Sequence, residues 1–202
     1  MQEACPHCDT EGFALKHVLE GTKHFCVVCD VHPLREGHLL IMPKEHIPAI
    51  GSCTNDAFRE FENLHEKFTS FIRKTYGAVS TFEHGNTGQT VAHAHFHILP
   101  FDGKVTDIVP EGKSMLTPMK KLSELQDAFS EHGKYLFFSI GHEGWFVNSK
   151  LSVPRFFRDR FAIAAIHPER GNWKTMRENI ALMEEAQEEI HECKRKFLES
   201  AF

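Results

Sequence analysis

Val91-Ala92-His93-Ala94-His95-Phe96-His97-Ile98-Leu99-Pro100 is the stretch on which the reading of this 202-residue chain turns. Its histidines recur at i, i+2 and i+4, with Ala94, Phe96 and Ile98 alternating against them. Strict alternation predicts a β-strand, because successive side chains of a strand point to opposite faces. The pattern places all three imidazoles on one face and the apolar residues in the core. At roughly 3.3 Å per residue the imidazole row spans about 13 Å. Immediately upstream, Glu83-His84-Gly85-Asn86-Thr87-Gly88-Gln89-Thr90 reads as a polar loop whose glycines let backbone amides approach an anion. Nitrogen bases beside such a loop point to chemistry on a phosphate. Taken alone, alternating histidines are equally compatible with a zinc site.

Outward from this stretch, Phe25-Cys26-Val27-Val28-Cys29 and Leu39-Leu40-Ile41-Met42-Pro43 read as short strands. Residues 54–76 read as a helix, with Phe58, Phe61, Leu64, Phe68, Phe71 and Ile72 on one stripe, Thr54 or Asn55 capping its start and Gly77 its end. Beyond Pro100, residues 102–118 form a polar connection. Ser123-x-x-Gln126 predicts a capping box for a short helix ended by Gly133. Residues 135–140 and 144–148 read as a strand pair around Gly141-His142-Glu143-Gly144. Pro154 opens a helix to about residue 166, and residues 172–197 predict one long final helix with Ile180, Met183, Ile190 and Phe197 on one stripe. Arg155 and Arg158, at i, i+3 of a helix, could clamp a second phosphate or an RNA end, or simply face solvent.

The chain carries 23 Lys and Arg against 28 Asp and Glu, and its longest basic run is Lys194-Arg195-Lys196. A broad nucleic-acid-binding surface is therefore not expected. The polar start Met1-Gln2-Glu3 and the lack of any long apolar run predict a soluble, cytoplasmic protein without a membrane span. Six cysteines in that compartment suggest metal or free thiols. Cys5-Pro6-His7-Cys8 and Cys26-x-x-Cys29 are two CxxC pairs, which could make a four-cysteine zinc site. Against this, residues i and i+3 of a regular strand face opposite sides, which favours Cys26 and Cys29 as core residues.

The ordered set of His93-Ala94-His95-Phe96-His97-Ile98-Leu99, the preceding Gly88-Gln89-Thr90-Val91, the block Gly37-His38-Leu39-Leu40-Ile41-Met42-Pro43-Lys44-Glu45-His46, and Asp30 resembles the signature of the histidine triad (HIT) family of nucleotidyl hydrolases and transferases. The resemblance covers about residues 1–104. It implies an α+β fold: a HIT-like core with an antiparallel sheet of about five strands and packed helices. That core, with its N-terminal CxxC zinc segment, would occupy residues 1–110. A mostly helical C-terminal extension with a short strand pair would occupy residues 111–202.

The implied activity is hydrolysis at the α-phosphate of a nucleotide, a dinucleoside polyphosphate or a nucleoside phosphoramidate, through a covalent nucleotidyl-histidine. A nucleotidyltransferase with a non-water acceptor, and a zinc-stabilised nucleotide-binding module without turnover, are the alternatives. In the implied site His95 is the nucleophile, His97 bonds the phosphate or departing group, and His38 holds His95 in its tautomer. Gln89 and Thr90 contact phosphate oxygens, and Asp30 accepts from the ribose hydroxyls of a purine nucleotide. Cys5, Cys8, His46 and His93 would hold a structural Zn(2+), with His7 a possible competitor. A homodimer is implied, though the extension could alter its interface.

Overall fold

The structure, a computed structural model, describes residues 5–9 and 11–200. Its first half is organised on α1 (Asn55–Tyr76), whose Thr54 side chain accepts from the Ala57 amide and whose Gly77 closes the C-terminus at φ 83°. That left-handed position suits glycine, which has no Cβ to clash. The predicted stripe is buried: Phe58, Phe61, Leu64, Phe68, Phe71 and Ile72 join Phe25, Val27, Ile41, Phe96 and Ile98 in the larger core. Fully burying one such phenylalanine is worth about 1.5–3 kcal/mol relative to leaving it exposed.

The strands under α1 are β1 (Val18–Gly21), β2 (Phe25–Cys29), β3 (Leu39–Pro43), β4 (Ser80–Glu83) and β5 (Phe96–Leu99). The C-terminal half adds the short helix α2 (Val105–Ile108), β6 (Leu116–Met119), α3 (Glu124–His132), β7 (Leu136–Ile140), β8 (Glu143–Val147), α4 (Phe156–Ala164), α5 (Trp173–Met176) and α6 (Ile180–Ser200). The expectation of about five strands is corrected. All eight form one antiparallel sheet in the order β1-β2-β3-β5-β4-β7-β8-β6, because β7 takes the outer edge of β4. Pro118 sits in β6, at an edge of this sheet, where a missing N–H costs no ladder bond.

On the opposite face α4 packs Phe156, Phe157 and Phe161 against Phe82, Leu99 and Phe138 in a second core. α6 returns to α1, stacking Phe197 on Phe68 with ring centroids 5.3 Å apart. The predicted long final helix is two helices, broken after Met176, and Ile180 is exposed. Ser123 caps α3 without a side-chain bond, so the predicted capping box does not form, although Gly133 ends the helix as expected. No helix of the described residues is long and apolar enough to cross a membrane.

The histidine stretch departs from its predicted strand. Only His97 of the three lies in β5, paired with Leu40 and Phe82. The reason is local: the Ala94 amide donates to the Ile47 carbonyl at 2.7 Å, so regular strand pairing begins only at Phe96. That bend gives the three imidazoles separate environments.

Candidate active site

Hydrogen bonds assign the proton on each imidazole. A carbonyl can only accept, so the 2.7 Å contact between His95 Nδ1 and the His93 carbonyl places the proton on Nδ1 and leaves a lone pair on Nε2. His38 Nδ1 accepts from the Leu34 amide at 3.0 Å, so His38 carries its proton on Nε2. It donates that proton to His97 Nδ1 at 2.9 Å, and His97 therefore carries its own on Nε2. That Nε2 is buried without a partner among the described residues. His95 and His97, ring centroids 5.0 Å apart, thus offer a lone pair and an N–H to one cavity, which both line. The expected role of His38 is corrected: it orients His97, and the His93 carbonyl orients His95. Burial lowers the pKa of His95, outweighing the His93 carbonyl, and lowers that of His97 well below the ordinary histidine value. Phe82 backs His97 with its ring stacked at 4.0 Å.

Asp30 borders the same cavity and is buried. Oδ1 accepts from the His32 amide at 2.9 Å, and Oδ2 accepts from Arg158 Nη1 at 2.8 Å while lying 3.5 Å from His38 Nδ1. Burial alone would raise the Asp30 carboxyl, but Arg158, then His38 and His32, outweigh it and hold the pKa at about 2. A carboxylate offers about four lone-pair positions, so acceptor capacity remains. Arg158 also donates to the carbonyls of His32, Arg170 and Gly171. It does not act with Arg155, which sits at φ 62° before α4 and pairs with Asp159.

Thr90 lines the cavity, its hydroxyl accepting from Trp173 Nε1 at 2.9 Å. Gln89 does not line it: its Oε1 accepts from the Asn86 amide and its Nε2 donates to the Pro48 carbonyl. The structure thus brings Thr90 to His95 and leaves Gln89 in the loop.

The four residues of the implied metal set converge. Ligand atoms of Cys5, Cys8, His46 and His93 all lie within 4.8 Å of one another. Cys8 Sγ is 3.2 Å from His46 Nδ1 and 3.3 Å from His93 Nδ1, and Cys5 Sγ is 3.6 Å from His93 Nδ1. These separations suit a tetrahedral ion with Zn–S near 2.3 Å and Zn–N near 2.0 Å. The chemistry also fits: His93 Nε2 donates to the Pro43 carbonyl at 2.8 Å, so its Nδ1 lone pair faces the thiols. Cys26 and Cys29 pack in different hydrophobic clusters and belong to no such set among the described residues. His7 stands outside the cluster, in the cavity at His95.

Residues missed in sequence include His84, buried with Nε2 accepting from the Phe157 amide at 3.1 Å, and His32 and Trp173, whose rings meet at 5.7 Å at the cavity. No local pattern marks these; Trp173 and Arg158 reach the site across more than 80 residues of sequence.

Residues 14–104 match the HIT domain family. A nitrilase and fragile histidine triad fusion protein of Caenorhabditis elegans is 30% identical over 88 residues, 42% of this chain and 20% of that protein. The chain therefore spans about a fifth of that relative. A bis(5'-adenosyl)-triphosphatase of Dictyostelium discoideum is 28% identical over 117 residues, 51% of this chain and 78% of that one. An adenosine 5'-monophosphoramidase of Candida albicans is 24% identical over 110 residues, 50% of this chain and 72% of that one.

Proposed function

The chain belongs to the HIT family through its residues 14–104, and on that footing we propose that it hydrolyses a nucleotide at the α-phosphate through a nucleotidyl-histidine at His95. The coarse reading, a nucleotide hydrolase, accords with relatives named as a bis(5'-adenosyl)-triphosphatase and an adenosine 5'-monophosphoramidase. The observation that carries the finer one is the pairing of a lone pair on His95 Nε2 with an unpartnered N–H on His97 in one cavity.

In the first step the His95 Nε2 lone pair forms a bond to the α-phosphorus. The bond from phosphorus to the leaving group breaks, and its electron pair departs with that group. A phosphate leaving group departs as an anion; an amine takes a proton from water. The imidazolium formed keeps its Nδ1–H on the His93 carbonyl, which accepts more strongly as the ring becomes charged. The His97 N–H donates to a phosphoryl oxygen, and the Arg158 charge favours the anion. In the second step water bonds the phosphorus, the N–P pair returns to Nε2, a proton passes to solvent and the nucleoside monophosphate leaves.

Asp30 supplies its free lone pairs to the ribose hydroxyls of a purine nucleotide, and Thr90 rather than Gln89 meets the phosphate. Zinc on Cys5, Cys8, His46 and His93 is part of the proposal; such a closed Cys₂His₂ set is structural and supplies no reacting group.

Diadenosine triphosphate and adenosine phosphoramidate, assayed against one preparation, test this reading. His95→Ala should lose at least about 10⁴-fold in turnover, or roughly 5.4 kcal/mol of transition-state stabilisation. A variant keeping more than a tenth of the wild-type rate would refute the nucleophile assignment.

A further inference from the structure

His7 stands between two cysteines of the metal set, yet its imidazole belongs to the other site. The local chain explains this. The Cys8 amide donates to the Cys5 carbonyl at 3.0 Å, closing a four-residue turn with Pro6 and His7 at its centre. Proline at the second position presets φ for such a turn. Both ends of the turn then carry thiols of one cluster, so the third residue has little freedom. Its ring packs edge-on against His95, with centroids 5.0 Å apart at 80°, and against His93 at 5.5 Å and 78°. It lines the cavity with His95, His97 and Arg158.

His7 Nδ1 is buried and has no hydrogen-bond partner among the described residues. His97 Nε2 is in the same condition in the same cavity. Buried polar atoms are costly to leave unpaired, and two at one cavity indicate a ligand that satisfies both. A phosphoryl group fits: it offers several acceptor oxygens and draws the Arg158 charge.

We propose that His7 is a further substrate-contacting residue, donating from Nδ1 to a phosphoryl oxygen of the nucleotide at His95, and that the Cys5–Cys8 turn, clamped by its metal, holds it there. The proposal rests on the reading that a nucleotide phosphate occupies this cavity. It makes metal loading a condition of tight nucleotide binding, although the metal touches no substrate.

The test uses the full-length, metal-loaded chain, with AMP binding followed by calorimetry and metal content by elemental analysis. His7→Phe keeps a ring of similar size and removes both nitrogens. It should bind AMP about tenfold to a hundredfold more weakly, as for a lost hydrogen bond to a charged group, with metal content unchanged. His7→Gln should recover part of the loss. Stripping metal from the wild-type chain should weaken AMP binding by a similar factor, and stripping it from His7→Phe should add nothing.

Wild-type affinity in His7→Phe would overturn the proposal, as would loss of metal in that variant, since His7 would then act through the cluster. Full turnover in His95→Ala would instead sink the parent reading. No AMP binding by the wild-type chain would sink both.

Discussion

Two clusters of metal-ligand residue types flank the same short segment, and their protons and charges are arranged differently. Cys5, Cys8, His46 and His93 bring their donors within 4.8 Å, and so do Asp30, His38 and His97. In the first, two thiols face imidazole lone pairs, and the His93 proton is turned away to the Pro43 carbonyl. In the second, a proton already bridges His38 and His97, and the Arg158 guanidinium already lies against Asp30. Among the described residues no Lys or Arg pairs with the first cluster, whereas the second carries its own cation. Convergent donors are therefore not enough to argue a metal; what decides is where the protons lie and whether a protein cation is already in place.

The sharpest way to break this contrast is to remove the internal cation. Arg158→Met leaves a buried carboxylate unpaired, and denaturant unfolding should show a loss of about 3–5 kcal/mol. Metal content should not change. Adding Asp30→Asn should recover part of the loss, because the two groups act as one unit. A loss under about 1 kcal/mol would mean that charge does not hold the second cluster together.

The first cluster should respond in the opposite way. About one zinc per chain is expected, and an ion bound only to the folded state at a hundred times its Kd adds about 2.7 kcal/mol. A strong chelator should lower the Tm, and Cys5→Ser should reproduce most of that drop. Cys29→Ser should leave metal content intact. Metal loss in Cys29→Ser, with retention in Cys5→Ser, would return the four-cysteine site to favour.

Acid gives the smallest expected effect. The folded Asp30 pKa of about 2 lies below its ordinary 3.8, so its contribution is fully present above about pH 4. It is lost as pH falls through about 2. The difference in unfolding free energy between the wild-type chain and Asp30→Asn should shrink by about 2 kcal/mol over that window. A difference that stays flat from pH 5 to 2 would show that Arg158 does not hold the carboxylate charged.

The Arg155/Arg158 pair shows why part of the site was illegible. Helical spacing presents them as one face, but the helix begins only at Phe156, with Arg155 outside it at positive φ. Arg158 then meets an aspartate 128 residues away. Gln89 was misplaced for a similar reason: its loop satisfies its amide locally, before any substrate could.

The metal set Cys5, Cys8, His46 and His93 and the joining of His38 to His95 and His97 came from the resemblance to the HIT family. Local patterns by themselves determined α1 with both its caps, β2, β3 and the β7–β8 pair. Each depends on periodicity, a turn residue or a spacing, quantities that a linear chain carries. Only the tertiary structure decided the direction in which each imidazole points, the cation held by Asp30, the place of His7 and the extension of the sheet to eight strands. Those depend on which carbonyl, amide or strand edge arrives from elsewhere in the chain, and a hydrogen bond has no direction until its partner is in place.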